Sequence, residues 1–135
     1  MAYCTRSDIE AVAGRKNIDA WADVSRSDDE ATIITNIDEA IAWSDAQIDA
    51  MFRNGPYTIP FSPVPTRVKW WSAKLSAVRL YGARGLQDDG RDEWAGRLTR
   101  SHDRVMQEVR IVSSGSERLL TGALSHTGPT APVGG

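Results

Sequence analysis

The sequence predicts an all-α fold: a small bundle of about four helices, two of them long, with a proline-rich loop between the long helices and an extended C-terminal tail. Three observations predict it. Apolar residues recur at helical spacing over residues 28–53, 66–83 and 91–112. Between the first two patterns lies Arg53 to Thr66, RNGPYTIPFSPVPT, whose Pro56, Pro60, Pro63 and Pro65 lack an amide donor and push their preceding residues toward extended backbone. Beyond residue 112 the composition turns to Gly, Ser, Thr and Pro.

A chain of 135 residues suits one domain with a real core, so the division expected is a helical domain over 1–112 and a flexible or extended tail over 113–135. Its 41% hydrophobic and 25% charged content is ordinary globular usage and argues against wholesale disorder. A formal net charge of -2 argues against a protein whose main task is gripping phosphate backbones. The sum hides an asymmetry. Residues 1–60 hold 11 acidic against 5 basic side chains, and residues 61–112 hold 6 acidic against 10 basic, so the two halves pair within one molecule, pair between copies, or are two solvated faces. Cys4 is the one cysteine, which excludes an intrachain disulfide and fits a reducing compartment; it reads as a packing residue rather than a nucleophile. With no leader-like apolar run and no span of about 20 apolar residues, the expectation is a soluble, cytoplasmically made chain with no membrane partner.

Element by element, Thr5 with Asp8 three residues on resembles an acidic capping box, and Gly14 supplies a stop, so Arg6 to Ala13 forms a short first helix. Asn17 caps a further turn through Trp21 and Ala22, and Ser25 to Ser27 act as spacer and cap. Asp28 to Arg53 reads as a long helix ended by Asn54-Gly55-Pro56. At about 100° per residue, Ile33, Ile34, Ile37, Ile41, Ile48, Met51 and Phe52 share one arc, the expected core face. Asp38, Asp45 and Asp49 lie together beside it, and Trp43 projects opposite.

After the proline-rich segment Arg53 to Thr66, a stiff, semi-extended strap, Pro65 or Thr66 opens a second long helix to about Ala83. Val68, Trp71, Leu75, Val78 and Gly82 form one stripe of it, and Trp70, Ala73, Ala77, Leu80 and Tyr81 another, divided on one side by Ser72, Ser76 and Arg79. Two stripes require two partners, one of which is a candidate second subunit. Gly85 to Gly90 forms a turn, and the last helix runs from about Arg91 to Val112 with Trp94, Leu98, Val105, Val109 and Val112 inward.

No P-loop, dinucleotide fingerprint, zinc-type Cys/His spacing or nucleophile elbow occurs in the chain. The expectation is therefore no enzyme, no catalytic residue, no cofactor and no metal. Asp45 and Asp49, at i and i+4, are weighed against that as a shared cation site, and His102 reads as a hydrogen-bonded core histidine rather than a base. Arg67, Lys69, Lys74, Arg79 and Arg84 interleave with Trp70, Trp71 and Tyr81, which makes a nucleic-acid-binding helical module the alternative function.

The run Ile48 to Gly82, IDAMFRNGPYTIPFSPVPTRVKWWSAKLSAVRLYG, together with the opening Met1-Ala2-Tyr3 and Thr5, Asp8 and Ile9, resembles the head-to-tail connector (adaptor, head completion) proteins of long-tailed bacteriophages, in their Mu-type branch. The resemblance covers roughly residues 1–112. It departs in the Leu86 to Trp94 turn and in the longer tail. It implies a structural virion protein at the head-tail interface, made in the host cytoplasm. Such subunits form a homo-oligomeric, typically dodecameric ring between the portal protein and a tail or stopper protein. The ring extends a channel through which DNA passes without specific binding. On that reading Trp43, Tyr57, Ile59, Phe61, Trp70, Tyr81, Leu119 and Leu120 make contacts between molecules, and Asp38, Asp45 and Asp49 line the channel. The strap becomes a projection gripped by a neighbour.

Overall fold

The structure, a computed structural model, describes residues 2–23, 29–83 and 93–115. Five helices carry it: α1 (Arg6–Ala13), α2 (Arg15–Ala22), α3 (Glu30–Phe52), α4 (Thr66–Ala83) and α5 (Glu93–Ser113), with no strand among the described residues. The all-α bundle read from the sequence is the fold observed.

α1 starts where the capping box places it. Thr5 Oγ1 accepts from the Asp8 amide at 3.3 Å, and the Asp8 carboxylate accepts from the Thr5 amide at 2.9 Å, satisfying two donors that the first turn otherwise strands. Gly14 then joins two helices by itself. Its amide donates to Glu10 O and its carbonyl accepts from Ile18, at a φ of 93° that an L side chain adopts only under strain. The turn expected after Asn17 is consequently a full helix from Arg15. Asn17 does not cap it but donates back to Ala13 O at 2.8 Å.

α3 and α4 run antiparallel and form the most extensive helix pair. Serines fix their register: Ser72 Oγ donates to Asp45 Oδ1 at 2.6 Å, and Ser76 Oγ lies 3.1 Å from Ser44 Oγ and 3.4 Å from Ala40 O. All three serines are fully buried, and their short side chains let the helices approach closely. This polar seam runs between two apolar clusters. One holds Ile9, Ile18, Trp21, Ile33, Ile37, Ala77, Leu80, Tyr81 and Leu98; the other holds Ile48, Phe52, Tyr57, Phe61, Val68, Trp71, Leu75, Val105, Val109 and Val112.

The two stripes of α4 therefore find both partners within one subunit. Trp71 and Leu75 enter the second cluster, and Ala73, Ala77, Leu80 and Tyr81 enter the first. The serines that separate the stripes are no solvent boundary, because α3 offers them acceptors. A second subunit is not needed to cover these residues of α4.

The strap packs down on the helices. Tyr57 and Phe61 are buried, Phe61 completely, and their rings meet Phe52 edge-on at 5.5 and 5.1 Å between centroids. They close the end of the bundle, so they serve the core rather than a projection. The Ile59-Pro60 and Ser62-Pro63 peptide bonds are cis. Tyr81, expected at a contact between molecules, is buried within the subunit, with Trp21 edge-on at 5.0 Å.

Two further expectations change. Ile34, assigned to the core arc, is 45% exposed, because α4 and α2 cover the Ile33 and Ile37 side of α3 and stop short of it. His102 is no core histidine; its side chain is 40% exposed and its Nδ1 lies 3.2 Å from Asp103. The spacer over 24–28, the turn and helix start over 84–92, and Arg84 lie outside the described residues, as does the tail beyond Gly115.

Candidate functional site

Tyr3 is the residue on which the N-terminal half converges. Its amide donates to Asp45 Oδ2 at 2.9 Å, its hydroxyl donates to Asp49 Oδ1, and the Tyr3 hydroxyl oxygen in turn accepts from the Phe61 amide at 3.1 Å. The i, i+4 carboxylate pair on α3 is thus a clamp on one tyrosine, gripping its backbone with one arm and its phenol with the other. Burial, and next the bond to Asp49, push the Tyr3 hydroxyl well above its ordinary value, which keeps the donated proton in place. Among the described residues no group of three or more His, Cys, Asp or Glu is placed to hold a metal ion.

Beside the clamp, an open groove of about 660 Å³ runs between the N-terminal segment and α3, lined by Cys4, Arg6, Asp38, Ala42, Asp45 and Asp49 among others. All three carboxylates proposed as channel-lining meet here, but unequally. Asp45 and Asp49 are half-buried and turned toward Tyr3 and Ser72, whereas Asp38 is exposed and has no ion-pair partner among the described residues. Cys4 lies under the groove, buried, with its sulfur 3.2 Å from Ser72 Oγ. Burial pushes its thiol up to about 11, so it stays protonated near neutral pH.

Burial also holds the Asp45 carboxyl above the usual carboxylate range, against the lowering effect of the Ser72 and Tyr3 bonds. The sign of the linkage follows. Between the unfolded aspartate value of about 3.9 and the raised native value, the folded state holds a proton that the unfolded chain has lost. Stability from this group is therefore complete below the window and declines as pH rises through it. Asp45→Asn removes the titration while keeping an acceptor for Ser72. Urea unfolding across this window should show the variant gaining on the native chain as pH rises. A difference that does not vary with pH contradicts the assignment. Asp45→Ala should instead cost about 1–3 kcal/mol throughout, because the Ser72 hydroxyl and Tyr3 amide lose their acceptor.

Arg6 ties three helices together, a role no periodicity in the sequence signals. Its guanidinium bonds Glu10 at 3.3 Å, Asp19 at 2.6 Å and Glu30 at 2.7 Å, joining α1, α2 and α3.

A second groove, of about 350 Å³, opens between α1, α4 and α5. Val12, Leu98 and the half-buried Trp70 and Trp94 make its apolar lining, and Lys74 and Arg97 bring positive charge. Arg97 lies over the Trp94 ring at 4.9 Å, and Lys69 over the Trp70 ring at 4.8 Å. Trp94 had been read only as a core residue. Its neighbours on α4 are less available for a ligand: Trp71 is buried and donates to Glu108 at 3.0 Å, Arg67 lies 3.7 Å from the same carboxylate, and Lys69 is 3.9 Å from Asp8. The structure thus engages much of the basic, aromatic-bearing helix internally.

Of the remaining candidates, Trp43 is half-buried with Arg79 4.9 Å above its ring, and Ile59 is half-buried against the second cluster. Leu119 and Leu120 lie outside the described residues. No helix among the described residues is long and apolar enough to cross a membrane.

The sequence profile of the family described as bacteriophage Mu, Gp36 matches residues 3–132. No curated relative and no solved structure matches the chain. The match starts at the clamped Tyr3 and takes in all five helices, the strap and most of the tail. This chain therefore belongs to the bacteriophage Mu Gp36 family and is a phage protein of Mu type.

Proposed function

We propose that the chain is a structural connector subunit of the virion, not an enzyme, which assembles with copies of itself into a ring between the portal protein and a tail or stopper protein. DNA passes through the ring without specific binding. The observation that carries this reading is a single subunit with two open faces of opposite charge. α3 presents Asp38 and Glu39 to solvent, and the groove between α1, α4 and α5 brings Lys74 and Arg97 beside two tryptophans. Faces that differ from each other, on one subunit, suit head-to-tail contacts, which close into rings when the rotation permits. Membership of a Mu-type phage family supports the setting. Trp43, Ile59 and Trp70, all half-buried, remain the aromatic and apolar residues available to neighbours.

Electron microscopy of purified virions, with the chain labelled at its C-terminus, tests the proposal. The label should lie at the head-tail junction, and particles made without the chain should accumulate as filled heads lacking tails. Label found only on the capsid shell or tail tip, with normal joining in its absence, removes the reading.

A further inference from the structure

The exposed face of α3 and the tryptophan groove each pair apolar surface with charge, and the charges are of opposite sign. Among the described residues, Ile34 is the more exposed of two large apolar side chains at the surface, and Asp38, one turn later on the same face, lacks an ion-pair partner among them. Residues at this spacing stand about 6 Å apart. Ala42 and Ala46 follow, both exposed and both small enough to let another surface approach. The groove offers the converse: apolar walls from Val12, Trp70, Trp94 and Leu98 around about 350 Å³, with Lys74 and Arg97 beside them. Lys74 likewise has no ion-pair partner among the described residues.

Resting on the ring reading, we infer that Ile34 of one copy enters the groove between Trp70 and Trp94 of the next, with Asp38 meeting Lys74 and Arg97. The two patches share no residue, so the contact is heterologous: every copy donates one knob and supplies one groove. Each patch repels its own kind, so the sign of charge selects knob-to-groove order over face-to-face pairing. The apolar residue at the centre excludes water from the charged pair, which is where such a pair contributes most to specificity. A nucleic acid fits this groove less well, because it offers an apolar-walled groove with few cations rather than a basic track.

Sedimentation of the full-length chain over a range of concentrations tests the contact, with Asp38→Lys, Lys74→Glu and the double variant in parallel. Each single reversal should weaken self-association by about tenfold or more, and the double variant should recover it to within about threefold. Arg97→Glu repeats the groove arm at an exposed position, and unchanged circular dichroism and melting show that the variants fold. If the native chain associates but the reversals leave it unaffected, or the double variant is no better than the singles, the contact is wrong while the ring reading survives. A chain monomeric at every concentration overturns the contact, and virion imaging then decides the ring reading separately. Salt-sensitive binding of a single-stranded oligonucleotide that Lys74→Glu abolishes, with self-association unaltered, assigns the groove to nucleic acid and also overturns it.

Discussion

Phe61→Ala should destabilise the isolated subunit by about 3–5 kcal/mol, the usual cost of deleting a buried phenyl ring and leaving a cavity. The ring is wholly buried, meets Phe52 and Tyr3 edge-on at 5.1 and 5.8 Å, and sits on the residue whose amide Tyr3 holds. Rigid neighbours limit collapse into the space. The strap's conformation is set by its prolines, and Phe52 is locked at the end of α3. Against a typical total of about 5–15 kcal/mol, the loss brings the chain near half-unfolding at modest urea concentrations. Thr58→Ala, at an exposed strap position, should stay within about 0.5 kcal/mol. If Phe61→Ala unfolds at the native urea midpoint yet fails to self-associate, the strap is an intermolecular contact after all.

Gly55→Ala should be nearly as damaging for a different reason. A Cβ at residue 55 would lie 2.2 Å from the Ser113 carbonyl oxygen, a backbone atom at the end of α5 that cannot rotate away. Val112, next to it, is fully buried, so relief requires the end of α5 to lift off the second cluster. Overpacking of this type costs about 1–3 kcal/mol, and contact with backbone places this case near the upper figure. Melting of the variant should fall by roughly 10 °C. Gly82→Ala is the matched control, with nothing within 4 Å of the added carbon on an exposed side of α4. There alanine's higher helix propensity should add about 0.5–1 kcal/mol. Two Gly→Ala changes of opposite sign, measured by the same melting curve, separate close approach from helix propensity. Equal effects would show that Gly55 does not abut α5.

Local rules located the elements because each is decided within a few residues. Thr5 and Asp8 close a box without help from the rest of the chain, and Gly14 stops a helix by its own conformation. Where burial depends on distant neighbours, the pattern was ambiguous. Ile34 sits one residue from Ile33 at the margin of the same arc, and only the reach of α2 and α4 leaves it outside. Ser72 and Ser76 read as a polar divide because hydroxyls usually face water; α3 supplies the acceptors that allow their burial. The strap has no period from which to infer which way its aromatics turn. In the candidate site, the grouping of Asp38, Asp45 and Asp49 was visible on a helical wheel, but their division was not. Tyr3 takes two of them from 42 and 46 residues away in sequence. Arg6 was invisible for the same reason, since its partners lie on three helices.

The Tyr3 clamp also sets an order in time. As the chain emerges from the ribosome, Tyr3 comes out before every group that will hold it, and the last of them, the Phe61 amide, follows 58 residues later. α1 has its own capping box and can form early, yet the first residues must wait, unanchored, until the end of α3 and the strap have been synthesised. The segment translated first is among the last to be locked.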